Sequence, residues 1–206
     1  GLSSGGTGAS RSSYHIIDKS AKTNAQAVCI FGLDTNYAEI SEIVILNGTT
    51  AVDTTKNFFR VNGFRIICAG SKENCLGNLT LRADAGGTTY SYITAGFTRA
   101  RNSAYTVPAS KTLYITFLEA GASTPNDTKV QTARIYTRVN VEPKTMFRTG
   151  TLFYNYSELL ISNGQEGHDM VIPTRLPEKT DLKVSAVGLT GFNGHVTSIL
   201  QGYLVS

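Results

Sequence analysis

The sequence predicts an all-β protein built from two small antiparallel domains, the second a jelly-roll-like β-sandwich. Three observations lead there. Apolar and polar residues alternate with period two, Gly, Asn and Pro recur at short intervals as turn residues, and helix formers are scarce. The clearest alternation runs from Gln131 to Val139, where Ala133, Ile135 and Val139 share one face and Arg134, Tyr136 and Arg138 the other. The same period places Leu113, Ile115 and Phe117 opposite Thr112, Tyr114 and Thr116, and Leu182, Val184 and Ala186 opposite Lys183 and Ser185.

In the first half, Ala25 to Leu33 reads as a strand and Asp34-Thr35-Asn36 as a turn. Tyr37 to Leu46 is the returning strand, with Ile43-Val44-Ile45-Leu46 deeply buried. Asn47-Gly48 reverses the chain, because both residues tolerate positive φ. Phe58 to Cys68 follows as a strand bent at Asn62-Gly63, then Asn78 to Arg82 and Thr89 to Thr94 across a turn at Ala85-Gly86-Gly87. The second half is expected to hold strands around Leu113 to Leu118, Val130 to Val139, Phe147 to Tyr154, Asp169 to Ile172, Leu182 to Val187 and Val196 to Val205. Gly164-Gln165-Glu166-Gly167 reads as a polar turn, and Ser157 to Ile161 as a helical turn. A polar stretch from Phe97 to Ser103 marks the boundary, giving domains over 13–100 and 101–206 behind a Gly- and Ser-rich linker over 1–12. The absence of an initiator Met suggests that the chain was cut, or that an upstream segment is missing here.

The composition narrows the function classes. Hydrophobic residues at 41% against 17% charged are enough to build cores in a chain of 206 residues. A formal charge of +4 is spread thinly, without the basic run that a nucleic-acid track needs, so no specific nucleic-acid partner is expected. No apolar stretch is long enough to span a bilayer, and no membrane insertion is expected. Cys29, Cys68 and Cys75 lack metal-ligand spacing. They read as buried free thiols, a Cys68–Cys75 bridge being the alternative.

Catalytic chemistry finds no footing. His168-Asp169 is an adjacent pair, and neighbours on a strand point to opposite faces, which disfavours an Asp–His relay. Glu39 and Glu42, or Glu158, Glu166 and Asp169, are carboxylates close in sequence and read as surface charges. Asp34-Thr35-Asn36 opens like a calcium loop, but Glu39 stands where the sharp turn needs Gly and Ile45 where the terminal carboxylate belongs. The expectation is a non-enzyme that needs neither cofactor nor metal. Two groups of binding residues stand out instead. Arg134, Tyr136 and Arg138 on the outward face of one strand fit a protein interface, and Tyr154 and Tyr156 fit contacts to a glycan.

Three phrases, Ala27 to Tyr37, Glu42 to Thr49 and Phe59-Arg60-Val61-Asn62, resemble virion structural proteins of tailed bacteriophages. Tyr105 to Thr112 resembles a strand-entry phrase of the same proteins, with Ser110 where Gly is usual. Phe147-Arg148 and Leu176 to Leu182 extend the likeness. The resemblance implies a structural protein located on the virion, as a capsid decoration protein or head fibre. It equally allows a tail or fibre module that binds a host surface glycan. It also implies other virion proteins, such as the major capsid protein, as partners, and a symmetric homo-oligomer such as a trimer.

Overall fold

The computed structural model describes residues 2–4, 25–83, 88–123, 130–140, 153–162, 164–188 and 195–206. All regular structure among them is β, and the chain divides into two compact units, Gly1–Asn102 and Ser103–Ser206. His15, the Ala85-Gly86-Gly87 turn, Phe147-Arg148 and the expected strand up to Leu152 lie outside the described residues, as does most of the expected linker.

In the first unit, β2 (Ala25–Leu33) lies between β3 (Glu39–Ile45) and β4 (Arg60–Ala69), and β5 (Leu79–Arg82) lies between β1 (Leu2–Ser4) and β6 (Thr89–Ile93). Every pairing is antiparallel. Val28 and Ile30 from β2, Val44 from β3 and Phe64 from β4 meet Leu79 and Leu81 from β5 and Ile93 from β6 in one core, with Leu46 and Cys75 closing it. Each such large apolar side chain contributes about 1.5–3 kcal/mol on burial. The run Ile43 to Leu46 corrects the expectation of uniform burial. Val44 and Leu46 are buried, but period two sends Ile43, 62% exposed, and Ile45 to the outer face. Leu2–Ser4, expected as linker, pairs with β5 as an edge strand.

The turns follow their residues. The Asp34 carboxylate accepts hydrogen bonds from the Asn36 and Ala38 amides at 2.8 and 2.9 Å, and this holds Tyr37 at φ 64°. Asn47 to Thr50 closes with the Thr50 amide on the Asn47 carbonyl at 3.0 Å and Gly48 at φ 62°. The β2–β4 register shifts between Phe31 and Gly32, passing from Gly63 to Val61 across the expected bend at Asn62-Gly63. Gly32 is required there, since a Cβ would overlap the Arg60 carbonyl oxygen and stand 2.7 Å from the Phe58 ring.

The second unit faces a four-stranded sheet against a three-stranded one. The first has the order β10 (Tyr154–Ser162), β9 (Val130–Val139), β12 (Thr180–Gly188), β7 (Ala104–Thr106), and the second β11 (Gly164–Leu176), β8 (Thr112–Ser123), β13 (His195–Val205). Ile135 and Leu182 from one sheet pack with Leu113, Ile115, Leu118 and Leu176 from the other. Ala120, Ala122 and Ile161 continue the contact where small residues bring the sheets together. Among the described residues the unit has seven strands, one fewer than the eight of a jelly roll.

Three local expectations are corrected here. Ser157 to Ile161 is β10, paired with β9, and not a helical turn. Gly164 to Gly167 is the start of β11, paired with Ala122 to Glu119 of β8, and not a turn. Phe117 does not share the face of Ile115. A bulge at Thr116 shifts the register against β13, so that Leu118 enters the core and Phe117 is left half-buried.

Candidate functional site

The outer face of the four-stranded sheet gathers the predicted interface residues into three cross-strand rows. Arg134 lies between Glu158 of β10 and Ser185 of β12, and Tyr136 between Asn155 and Lys183. Arg138 lies opposite Asp181, which lies opposite Thr106 of β7. The rows exist because β9 alternates strictly, placing its three long polar residues on the side away from Ile135 and Thr137.

Within these rows both guanidinium groups pair inside the chain. Arg134 Nε donates to Glu158 Oε2 at 2.8 Å; hydrogen bonds to Glu158 and then Tyr136 push its pKa up. Arg138 donates from Nε at 3.0 Å and from Nη2 at 2.5 Å to Asp181 Oδ2. The Thr106 hydroxyl donates to Asp181 Oδ1 at 2.7 Å. Asp181 is only 5% exposed, so its charge is carried by these donors rather than by water. Phe153 supports the group, with Arg138 Cζ 4.6 Å and Lys183 Nζ 4.4 Å from its ring centroid; Lys183 Nζ also lies 5.1 Å from that of Tyr136. The face thus presents Tyr136 and the stems of Arg134, Arg138 and Lys183, held in order by these contacts.

Tyr154 and Tyr156 stand on β10, the edge of this sheet, and both are exposed. The register against β9 slips between Asn155 and Ser157, making Tyr156 the unpaired residue of a bulge, a device that re-aims a side chain.

Among the remaining candidates, His168 and Asp169 sit side by side on β11, both exposed, opposite Leu118 and Phe117. Glu42 is a tie for the β3–β4 connection. Its carboxylate accepts the Thr55 and Lys56 amides, each at 2.8 Å, and the Thr55 hydroxyl at 3.1 Å. Burial pushes its pKa up, but these bonds and the Lys56 charge outweigh that and hold it below the ordinary value. None of the three cysteines is bridged in a disulfide. Cys29 and Cys75 are buried and Cys68 is partly so. Burial raises the pKa of Cys29 and Cys75, and the Cys75 thiol donates to the Thr94 and Phe97 carbonyls at 3.2 and 3.1 Å. Among the described residues no group of three or more His, Cys, Asp or Glu could hold a metal ion.

Three surface features escaped the sequence reading. Tyr90 and Tyr92 stand out from β6, 63% and 58% exposed, while Ser91 and Ile93 turn inward; the alternation Tyr-Ser-Tyr-Ile carried that signal. Tyr37, Phe59 and Arg60 cluster, with Tyr37 and Phe59 ring centroids 5.4 Å apart and Arg60 Cζ 4.1 Å from that of Phe59. Met170 to Pro173 form an outward excursion of β11, since Asp169 pairs with Phe117 and Thr174 with Ile115; Val171 and Ile172 are 96% and 84% exposed there. Only the pairing register reveals that excursion.

Comparison with known proteins gives no match: no family model, no curated protein and no solved structure is similar to the chain.

Proposed function

We propose that the chain is a non-enzymatic structural protein on the exterior of a tailed-phage virion, a capsid decoration protein or head fibre. In this reading it assembles as a symmetric homo-oligomer, such as a trimer, against other virion proteins including the major capsid protein. The observation that carries the reading is how the described surface is used. Charged side chains are tied into cross-strand pairs on one sheet, while large apolar side chains such as Ile43, Leu160, Val171 and Ile172 stand exposed on faces and edges. Where such residues are adjacent, as Val171 and Ile172 are, the exposed apolar surface favours burial against neighbouring subunits.

Two further features support it. The sandwich of the second unit is read as jelly-roll-like, because β7, β12 and β9 are neighbours although far apart in sequence, as Greek-key connections produce; jelly rolls recur in viral capsid and lectin domains. The phrase in which phage proteins usually carry Gly holds Ser110 at φ 61°, so the place has the backbone that a glycine would serve. Immunogold labelling of purified virions tests the location. Label over the capsid is expected, and label confined to the tail tip would overturn the assignment.

A second reading, a tail or fibre module that binds a host surface glycan, is favoured by the exposed Tyr154 and Tyr156 at the β10 edge. On a glycan array, this reading expects binding that Tyr154→Ala and Tyr156→Ala abolish; absence of binding to host envelope sugars removes it.

A further inference from the structure

The open edges of the sheets are not alike. An exposed strand edge invites pairing with another chain, and natural sequences defend it with charge, Pro, bulges, short length or a covering segment. β1 and β7 have three residues each and β6 five. β3 carries Glu39 and Glu42, and β10 carries Glu158 and the bulge at Tyr156. β11 carries Glu166, Asp169, Pro173 and Arg175 as well as its outward excursion. The edge of β4 is covered, since the Ile66 amide donates to Thr98 and the Ala100 amide to Phe64, both at 2.8 Å. β13 alone among the described edges has none of these. It runs for eleven residues, Val196 to Val205 hold neither a charge nor Pro, and the extra residue at its one register shift is Thr116 of β8.

Among the described residues, β13 pairs with β8 along one side and ends its sheet on the other. Ile199 and Tyr203 are each 50% exposed, and Leu204 and Val205 are exposed beside them. We propose that β13 is the seam between two copies of this chain, pairing antiparallel about a twofold axis at Gln201 to join two three-stranded sheets into one of six. Gln201 then faces its counterpart, and Ile199 faces Tyr203 of the second copy on both sides of the axis. This is the aromatic and β-branched pairing that stabilises antiparallel ladders. Because the strand is uncharged, self-pairing sets no like charges opposite each other. A twofold contact closes on itself, so the seam makes dimers, or pairs trimers where another surface builds the threefold. The inference rests on the reading that the protein works as repeated copies.

Light scattering and sedimentation equilibrium of the full chain test it. A concentration-dependent dimer is expected, and Ile199→Lys should weaken it about tenfold or more. Residue 199 lies opposite Glu119 within the chain, so the lysine has an intramolecular partner, and at concentrations where parent and variant are both monomers the unfolding midpoint should be unchanged. If that variant fails to fold, cysteine cross-linking decides. Gln201→Cys should form a disulfide between copies on oxidation, and Ile199→Cys only when mixed with Tyr203→Cys, with the parent chain as control for Cys29, Cys68 and Cys75. A monomer at every concentration overturns the proposal. So does an oligomer indifferent to Ile199→Lys and lacking the Gln201→Cys cross-link, an outcome that leaves assembly from repeated copies standing. A dimer with both signatures but no labelling of virions keeps the seam and removes the phage reading.

Discussion

Asp181 ties three strands together on the outer face of the four-stranded sheet, and Asp181→Ala measures what that tie is worth. The substitution takes two hydrogen bonds from Arg138 and one from Thr106, whose own side chain is buried. Charge-assisted bonds of this kind are worth about 1.5–3 kcal/mol net, and stranding a partner in a buried site adds to the loss. Arg138 keeps 23% of its side-chain surface exposed and can rehydrate in part, which brings the expected loss to about 2–3 kcal/mol. For a unit of this size that lowers the melting midpoint by about 10–20 °C. Urea unfolding followed by tyrosine fluorescence, with hydrogen exchange on β9 and β12, reads the change. Asp181→Asn should retain the Thr106 bond yet lose most of the same stability, because its amide presents donors to Arg138. A double-mutant cycle with Arg138→Gln should return a coupling of at least about 1 kcal/mol. A loss below about 0.5 kcal/mol for Asp181→Ala would show that the buried pair does not hold the sheet, and the reasoning would fail.

Three other outcomes are expected. Glu42→Gln should cost about 1 kcal/mol at neutral pH, after discounting for solvent screening of a half-exposed carboxylate. The folded pKa of Glu42 lies below its ordinary 4.5, so the stabilisation is complete above that pH and is lost as pH falls through the lowered folded value; parent and variant unfolding curves should converge on acidification. Ser110→Gly should raise stability by about 0.5–1 kcal/mol in thermal unfolding, because Ser110 sits at φ 61° and a left-handed residue with a Cβ costs about 1–2 kcal/mol before the entropy of glycine is set against it. Gly202→Ala should destabilise by at least about 2 kcal/mol, since a Cβ there would overlap the Tyr114 carbonyl oxygen behind the Thr116 bulge; an unchanged midpoint would show that the backbone yields freely.

Much of the fold was legible because period two is a local property. Ala25–Leu33 and Val130–Val139 are strands over the residues expected, and Asp34 makes its turn by bonding its own backbone, which a short sequence window contains in full. Bulges were hidden because they are properties of a pair of strands. Nothing in Leu113 to Leu118 states that Thr116 will be the extra residue of a bulge, so alternation alone sends Phe117 inward. Ser157 to Ile161 contains Glu and two Leu, good helix formers, but pairing with β9 overrides that local preference. Gly164 to Gly167 has turn composition, yet Gly167 meets the Phe117 ring, which a Cβ would approach to 3.4 Å. The candidate interface was half legible. Alternation placed Arg134, Tyr136 and Arg138 on one face, but only the registers with β10 and β12 reveal Glu158 and Asp181 as their partners.

A cryo-EM map of the intact virion tests the proposal that this chain is repeated on the outside of a phage particle. Density for both β units is expected at symmetry-related positions on the outer capsid surface, in contact with the major capsid protein. Density for the chain only at the tail tip, only inside the capsid, or nowhere on the particle would contradict it.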